Sequence, residues 1–248
     1  MIEGRHLLGL RRMDAGTLRM LLESTRGMLA PARHPEPGLD ALRGRTIATV
    51  FFEHSTRTRG SFQMAAQRAG AQVVDVSSQN STAKGESLAD TVRTIEAMGA
   101  DAIVVRSGAS GAAAAAARVA RVPILNAGDG RHEHPTQGLL DAFTLSEAMG
   151  RVESGAGFDL TGARVVIVGD VLHSRVARSS MAALQTLGAS VTLVGPGPLV
   201  PESLSALLDA GGEIERDFDA ALERSDAVMM LRVQLERGAR VTSSYRAR

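Results

Sequence analysis

The chain has 248 residues, 44% hydrophobic and 22% charged, enough for one large or two ordinary cores and far from the composition of a disordered polymer. Its net charge of +1 comes from interspersed acids and bases, which argues against nucleic acid as a partner, and its lack of cysteine excludes disulfides, thiol nucleophiles, iron–sulfur clusters and cysteine-bound zinc. No apolar run is long enough to span a membrane and the first ten residues carry no signal-peptide pattern, so a cytoplasmic protein is expected.

In chain order the pattern alternates helix and strand. A helix is expected around Asp14–Ala30, then a buried β-branched strand at Thr46–Phe52, a helix at Arg57–Ala69 and a strand at Gln72–Val76. Helix Glu86–Met98, strand Ala102–Val105, helix Gly111–Ala120 and strand Val122–Leu125 follow. The alanine run 112–117 reads as a helix that can pack closely on a sheet. Helix Pro135–Met149 leads into the glycine-rich segment 150–162. Beyond it come strand Arg164–Val168, helix Ser174–Leu187, strand Ser190–Val194, helix Ser203–Ala210 and strand Ala227–Leu231. This is an α/β pattern with two doubly wound parallel-sheet domains, 1–149 and 150–248. The second offers only three clear strands, so it is expected to be incomplete at its C-terminus.

Chemistry gathers at the strand ends. Glu53-His54-Ser55-Thr56-Arg57-Thr58-Arg59 follows a strand and opens a helix, where free N–H groups and the positive end of the helix dipole favour an anion. Three hydroxyls and the Arg57 fork suit phosphate, whereas an ordinary serine or threonine N-cap accounts for one hydroxyl only. Asn126–Gln137 holds His132-Glu133-His134, a weak metal signal because zinc motifs on helices space histidines four apart. His134 precedes a proline at a helix start. An imidazole there stays neutral and can donate to a carbonyl oxygen. His132 reads as a satisfied cap or core histidine, and Gln137, one turn on, can hold an amide. After strand Arg164–Val168 only Gly169 of a G-x-G-x-x-G pattern is present, which disfavours a dinucleotide, while Arg175 at the next helix start suits a carboxylate. Arg232 and Gln234 alternate by two after the last strand and would share a side if that tip is extended. The polar loop Ser77–Ser87 holds Lys84, the only lysine beside 27 arginines. A general arginine preference leaves that exception unexplained, and chance survival is the plain alternative. An ammonium is a compact, flexible point charge where a guanidinium is a planar fork, so the loop reads as needing the former.

Taken in order, S-T-R-T-R, K-G-E-S-L-A-D-T, the strand-end Arg106, N-A-G-D-G-x-H-E-H-P-T-Q, H-S-R-V-A-R-S and L-R-V-Q-L-E-R resemble the signature segments of aspartate carbamoyltransferases from about Leu7 to Arg237. The resemblance implies transfer of a carbamoyl group from carbamoyl phosphate to the amine of L-aspartate, in pyrimidine biosynthesis, without metal or cofactor. It implies that Ser55, Thr56, Arg57, Thr58, Arg106, His134 and Gln137 bind carbamoyl phosphate, with Arg57, Thr58, Arg106 and His134 catalytic. Lys84, Arg175, Arg232 and Gln234 would bind aspartate, and Glu53 would orient an arginine. It further implies a cytoplasmic homotrimer with shared active sites, with regulatory or pathway subunits as further partners. Ser107-Gly108 replaces the family's His-Pro after Arg106, and the family's chains run on past Gln234 for longer than this one does. The rival readings are transfer to another amine such as ornithine, whose enzymes use a cysteine motif absent here, and a truncated non-catalytic partner subunit.

Overall fold

The computed structural model describes residues 2–3, 6–33, 39–77, 87–152 and 157–235. The chain divides into two compact units, Met1–Thr136 and Gln137–Arg248. The division falls in the first turn of a helix that runs from Pro135 to Ala148. The loop that carries Lys84 lies outside the described residues.

The first unit begins with two short strands, β1 (Ile2–Glu3) and β2 (His6–Leu7), and helix α1 (Ala15–Arg33). Asp14 starts α1, accepting from the backbone N–H and the hydroxyl of Thr17 at 2.9 and 2.7 Å, while Leu18 and Leu22, four apart on one face, are fully buried. The rest alternates: β3 (Thr46–Phe51), α2 (Thr56–Arg68), β4 (Gln72–Ser77), α3 (Leu88–Ala97), β5 (Ala102–Ser107), α4 (Ala112–Val119) and β6 (Ile124–Asp129). The alanine run is helical, as its composition predicts. The sheet runs β1-β2-β6-β5-β3-β4, with β2 and β6 to β4 all parallel and β1 antiparallel to β2.

Side-chain alternation on the central strands separates two cores. Ala48 and Val50 of β3, with Ile103 and Val105 of β5, pack against Val92 and Ile95 of α3 and Ala113 and Ala116 of α4. Ile47 and Phe51, with Val104, face the other way onto Ala66 of α2. Both sheet faces are therefore covered, which is why these strands read as unbroken apolar runs rather than alternating ones. The chain turns back between β3 and β5, since β4 lies on one side of β3 and β5 on the other. In open α/β sheets the crevice at the carboxyl ends of such a strand pair is where ligands bind.

The second unit starts with α5 (Pro135–Ala148), apart from its first two residues, and continues with β7 (Arg164–Val168), α6 (Arg175–Thr186), β8 (Ser190–Val194), a 3₁₀ turn at Glu202–Leu207, β9 (Glu213–Glu215), α7 (Phe218–Glu223) and β10 (Ala227–Met230). All four strands are parallel, in the order β10-β7-β8-β9. Val166, Val168 and Val194 pack with Ala221 of α7, while Val165 and Ile167, pointing oppositely, are also buried. Here the chain turns back between β7 and β10. The sequence expects a helix over 203–210, and the segment instead forms the 3₁₀ turn. Sequence reading also missed β9 and α7, because Glu213-Ile214-Glu215 is too short and too charged to stand out as a strand.

The two turning-back strand pairs share a clasp at their amino ends. Asp101, just before β5, accepts from Thr46 N at 2.8 Å and Arg45 Nη1 at 2.8 Å, while its own N–H donates to Thr46 O. Asp226, just before β10, accepts from Arg164 N at 2.8 Å and from Arg164 Nη2 and Nε at 2.9 and 3.2 Å, and its N–H donates to Arg164 O. Both carboxyls are held below the usual range. For Asp101 the Thr46 backbone bond is the larger cause and Arg45 the next, while for Asp226 the Arg164 side chain comes first and sets the value at about 2. A lowered folded-state pKa contributes stability above the ordinary value of 3.8 that is lost as pH falls through about 2. Asp226→Asn should therefore lower the melting temperature at neutral pH, with the gap to the parent protein narrowing between those two pH values. Thermal melts across the acid range check this. A gap that is constant down to the lower value would show that the pair does not titrate as described.

Candidate active site

In the first unit the site residues collect at the carboxyl ends of β3, β5 and β6. Ser55 occupies the N-cap position of α2 with an extended backbone, yet its side chain makes no capping bond. Ser87 and Ser174, at the same position of α3 and α6, each accept from a backbone N–H of the following turn. The hydroxyl of Ser55 is thus not used to satisfy its own helix, as the ordinary N-cap reading would require, and the α2 terminus keeps the features of an anion cradle.

Arg106, near the end of β5 and only 8% exposed, reaches across the switch point. Its Nη2 pairs with Glu53 Oε1 at 2.7 Å, and its Nη1 donates to Ala127 O at 2.9 Å and to Thr58 Oγ1 at 3.3 Å. One guanidinium therefore joins the loop after β3, the first turn of α2 and the bend in β6. The expectation that Glu53 orients an arginine matches this pairing. The β5–β6 register slips next to Arg106, where Val105 faces Asn126 but Ser107 faces Asp129. A bulge of this kind re-aims side chains at the end of a strand, and here it turns the Ala127 carbonyl onto the arginine.

The segment from Asn126 to His134 is built by buried acids. Asp129 Oδ1 accepts from Asn126 Nδ2 and Glu133 N, and its Oδ2 accepts from Gly111 N at 2.7 Å. His132 Nδ1 lies 3.1 Å from the same carboxylate, so it is the satisfied histidine that the sequence suggests. The Glu133 carboxylate accepts from Leu10 N and Arg11 N at 3.0 and 3.1 Å. It lies so close to Gly9 that a Cβ there would come within 2.7 Å of Oε1. His132 and Glu133 are thus engaged in separate structural contacts. His134, 7% exposed, ends up just ahead of Pro135, with Thr136 Oγ1 at 3.5 Å from its Nδ1, too long for a strong bond. Thr56 and Arg57 lie in the first turn of α2 beside Thr58.

In the second unit the candidates lie beyond β7 and β10. Arg175 is the first residue of α6 and 1% exposed, the largest of the fully buried side chains. A cation at a helix N-terminus works against the helix dipole. Asp170, fully buried, joins the two strand ends: it accepts from His173 Nδ1 at 2.7 Å, from His173 N at 3.2 Å and from Gln234 N at 2.8 Å. Gly169 permits this approach, with a φ of +116° and an imagined Cβ only 2.8 Å from Leu231 O. Beyond Met230 the chain leaves the strand. Arg232 is exposed, while Gln234 is buried with its Nε2 donating to Arg232 O at 3.2 Å. The two are therefore not presented alike, contrary to the alternation read from sequence, because Asp170 draws the Gln234 backbone inward.

Gln137, in the first turn of α5, donates through Nε2 to Asp141 Oδ1 at 2.8 Å, and Ser180 Oγ of α6 donates to Asp141 Oδ2 at 2.5 Å. Burial pushes the Asp141 carboxyl above its ordinary value, against the lowering effect of these two bonds, Ser180 before Gln137. Sequence reading missed Asp141, Asp170 and the Asp129 hub. The available signal was an aspartate directly after glycine at two strand ends, Gly128-Asp129 and Gly169-Asp170.

The structural weight on Asp170 can be measured. Asp170→Ala leaves the Gln234 N–H and the His173 imidazole without their acceptor and should cost about 1–3 kcal/mol in urea-unfolding experiments, and Asp170→Asn, which keeps one acceptor oxygen, should cost less. Equal losses for the two variants would mean that packing rather than the carboxylate's bonds supports the loop.

Residues 5–147 match the family model described as aspartate/ornithine carbamoyltransferase, carbamoyl-P binding domain. The chain is 52% identical over 234 residues to the aspartate carbamoyltransferase catalytic subunit of Salinispora tropica, covering 94% of this chain and 73% of that one. It is 53% identical over 238 residues to the corresponding subunit of Kineococcus radiotolerans, covering 94% and 72%. Among solved structures it resembles the aspartate transcarbamoylase of Trypanosoma cruzi in complex with carbamoyl phosphate, with a TM-score of 0.82, 32% identity and coverage of 99% of this chain and 76% of that one. The same enzyme with carbamoyl phosphate and aspartate matches at a TM-score of 0.82 and 31% identity, covering 95% and 74%. With a buried arginine at the first switch point, an uncapped serine on the adjoining helix and this likeness along nearly its whole length, the chain belongs to the aspartate carbamoyltransferase family.

Proposed function

We infer that this protein transfers the carbamoyl group of carbamoyl phosphate to the amine of L-aspartate, giving N-carbamoyl-L-aspartate and phosphate. The family model spans aspartate and ornithine enzymes alike. The observation that selects aspartate is the identity of about half of the residues with aspartate carbamoyltransferase catalytic subunits over 94% of the chain. The absence of cysteine, on which the ornithine enzymes' motif relies, points the same way. The reaction belongs to pyrimidine biosynthesis in the cytoplasm.

In this reading residues 1–149 bind carbamoyl phosphate and 150–248 bind aspartate. The phosphate rests on the Ser55–Thr58 turn, neutralised by Arg57 and Arg106. Thr58, Arg106 and His134 donate to the carbamoyl oxygen, and their contribution grows as charge builds on it. Gln137 meets the carbamoyl amide. Arg175, Arg232, Gln234 and Lys84 hold the two carboxylates so that the uncharged amine faces the carbonyl carbon. The nitrogen–carbon bond forms, the carbon–oxygen bond to phosphate breaks, and the departing phosphate takes the proton from the amine. Orienting two substrates in this way contributes up to about 7–11 kcal/mol. The position of Arg106, which joins Thr58, Glu53 and the β6 carbonyl, supports its place at the reacting group.

An assay of the purified chain with each amino acid tests the acceptor: L-aspartate should be carbamoylated and L-ornithine should not, and equal use of both would sink the assignment. Arg232→Ala should weaken aspartate binding by the loss of a charge-assisted bond, about 1.5–3 kcal/mol, with a smaller effect on carbamoyl phosphate.

The assembly is a homotrimer in which the loop carrying Lys84 enters a neighbour's site, so that catalysis depends on subunit contacts. Lys84→Ala and Arg106→Ala should each be nearly inactive alone and regain activity when mixed into shared trimers, where some sites pair an intact loop with an intact phosphate turn. Mixed trimers that form and stay inactive would place Lys84 in its own subunit's site.

A further inference from the structure

Asp141 has no role in the chemistry above, yet both of its oxygens are engaged. Gln137 Nε2 donates to Oδ1 at 2.8 Å from one turn earlier on α5, and Ser180 Oγ donates to Oδ2 at 2.5 Å from α6. The i, i+4 spacing places Gln137 and Asp141 on one face of the helix. The bond from Ser180 fixes the carboxylate from a second helix, so it cannot simply follow the glutamine's rotations.

An ionised carboxylate only accepts hydrogen bonds, whereas a primary amide has a donor end and an acceptor end of nearly the same shape. Asp141 therefore takes the NH₂ end of Gln137 and leaves its Oε1 for another group. That choice matters for a ligand with a carbamoyl head. The carbamoyl NH₂ needs an acceptor, and a flipped glutamine would offer it a second NH₂. A methyl group in the same place, as in acetyl phosphate, makes no such demand. A site that hydrogen-bonds a polar group discriminates most strongly against the analogue lacking it.

We propose that Asp141 is a positioning residue that locks the Gln137 amide with its carbonyl oxygen toward the ligand, and that this lock makes the site select carbamoyl phosphate over acetyl phosphate. The proposal rests on the reading that Gln137 meets the carbamoyl amide. Burial raises the Asp141 carboxyl above its ordinary value, and the Ser180 and Gln137 donors oppose that rise by bonding to the acceptor form.

Equilibrium titration of the full chain with carbamoyl phosphate and with acetyl phosphate tests it without depending on turnover. Asp141→Asn keeps the size of the side chain but can present either end of an amide to Gln137. It should weaken carbamoyl phosphate binding about tenfold, the scale of one lost hydrogen bond, and leave acetyl phosphate binding unchanged. Gln137→Ala should lose the same selectivity, and adding Asp141→Asn to it should remove nothing more. Ser180→Ala, which breaks the same helix-to-helix bond but spares the Gln137 contact, should retain most of the selectivity. A merely structural role for Asp141 predicts instead that both ligands weaken together in Asp141→Asn, and that result overturns the proposal. So does selectivity that survives in Asp141→Asn but is lost in Gln137→Ala. Selectivity that survives in Gln137→Ala is a separate result: it removes the assignment of Gln137 itself, and the proposal with it.

Discussion

The protein depends on one topological constraint, met twice. A parallel sheet in which the chain turns back must contain a strand pair whose carboxyl ends open onto a crevice. In the first unit the pair is β3 and β5, and in the second β7 and β10. Each pair is closed at its amino end by an aspartate that clasps the first residue of the neighbouring strand and an arginine beside or within it, Asp101 with Thr46 and Arg45, Asp226 with Arg164. At the opposite end each pair is crossed by polar groups that hold the crevice in shape. The same geometric problem receives the same solution at the closed end and a different one at the open end.

The difference at the open ends follows from charge. Arg106 crosses the first pair and is held by Glu53 and two oxygens, so the orientation of its guanidinium is fixed by the protein itself. Asp170 crosses the second pair, and its oxygens are occupied by His173 and a backbone N–H. Arg175 is buried two residues along from His173. At each open end the carboxylates described above are committed to the protein. Preorganised donors of this kind need little reorganisation when charge develops on a bound group.

Another acid, Asp129, ties together the loop that leads to His134. It gathers Asn126, Gly111, His132 and the Glu133 backbone, and Glu133 in turn holds the N-terminal segment at Leu10 and Arg11. Buried polar groups must be satisfied or they destabilise the fold. A loop built this way has few alternative conformations. The histidine at its end, followed by a proline at a helix start, inherits that definition.

Much of this was legible in the sequence. Unbroken apolar runs between amphipathic segments marked parallel strands covered on both faces, because a strand buried on both sides has no reason to alternate. The anion turn at Ser55–Thr58 was legible because its hydroxyls and arginines are local, and strand, turn and helix start follow one another without help from distant residues. The division of labour among the acids was not. Glu133 meets Leu10, Asp170 meets Gln234 and Asp141 meets Ser180 across separations of 123, 64 and 39 residues. An acid's partner at such distances is set by which elements the fold brings together, and no periodicity records it. The same reason explains Gln234. Its spacing from Arg232 suggested a shared side, but a hydrogen bond from its backbone to Asp170, just beyond the end of another strand, decided which way it turned. Sequence alone determined the long apolar strands, the helices between them and the chemistry available at their ends, since these depend on neighbouring residues, but not the short β9 and α7 or the 3₁₀ turn. Only the tertiary structure decided which acids became struts and which side chains remained to meet a ligand, since that depends on contacts between elements far apart in the chain.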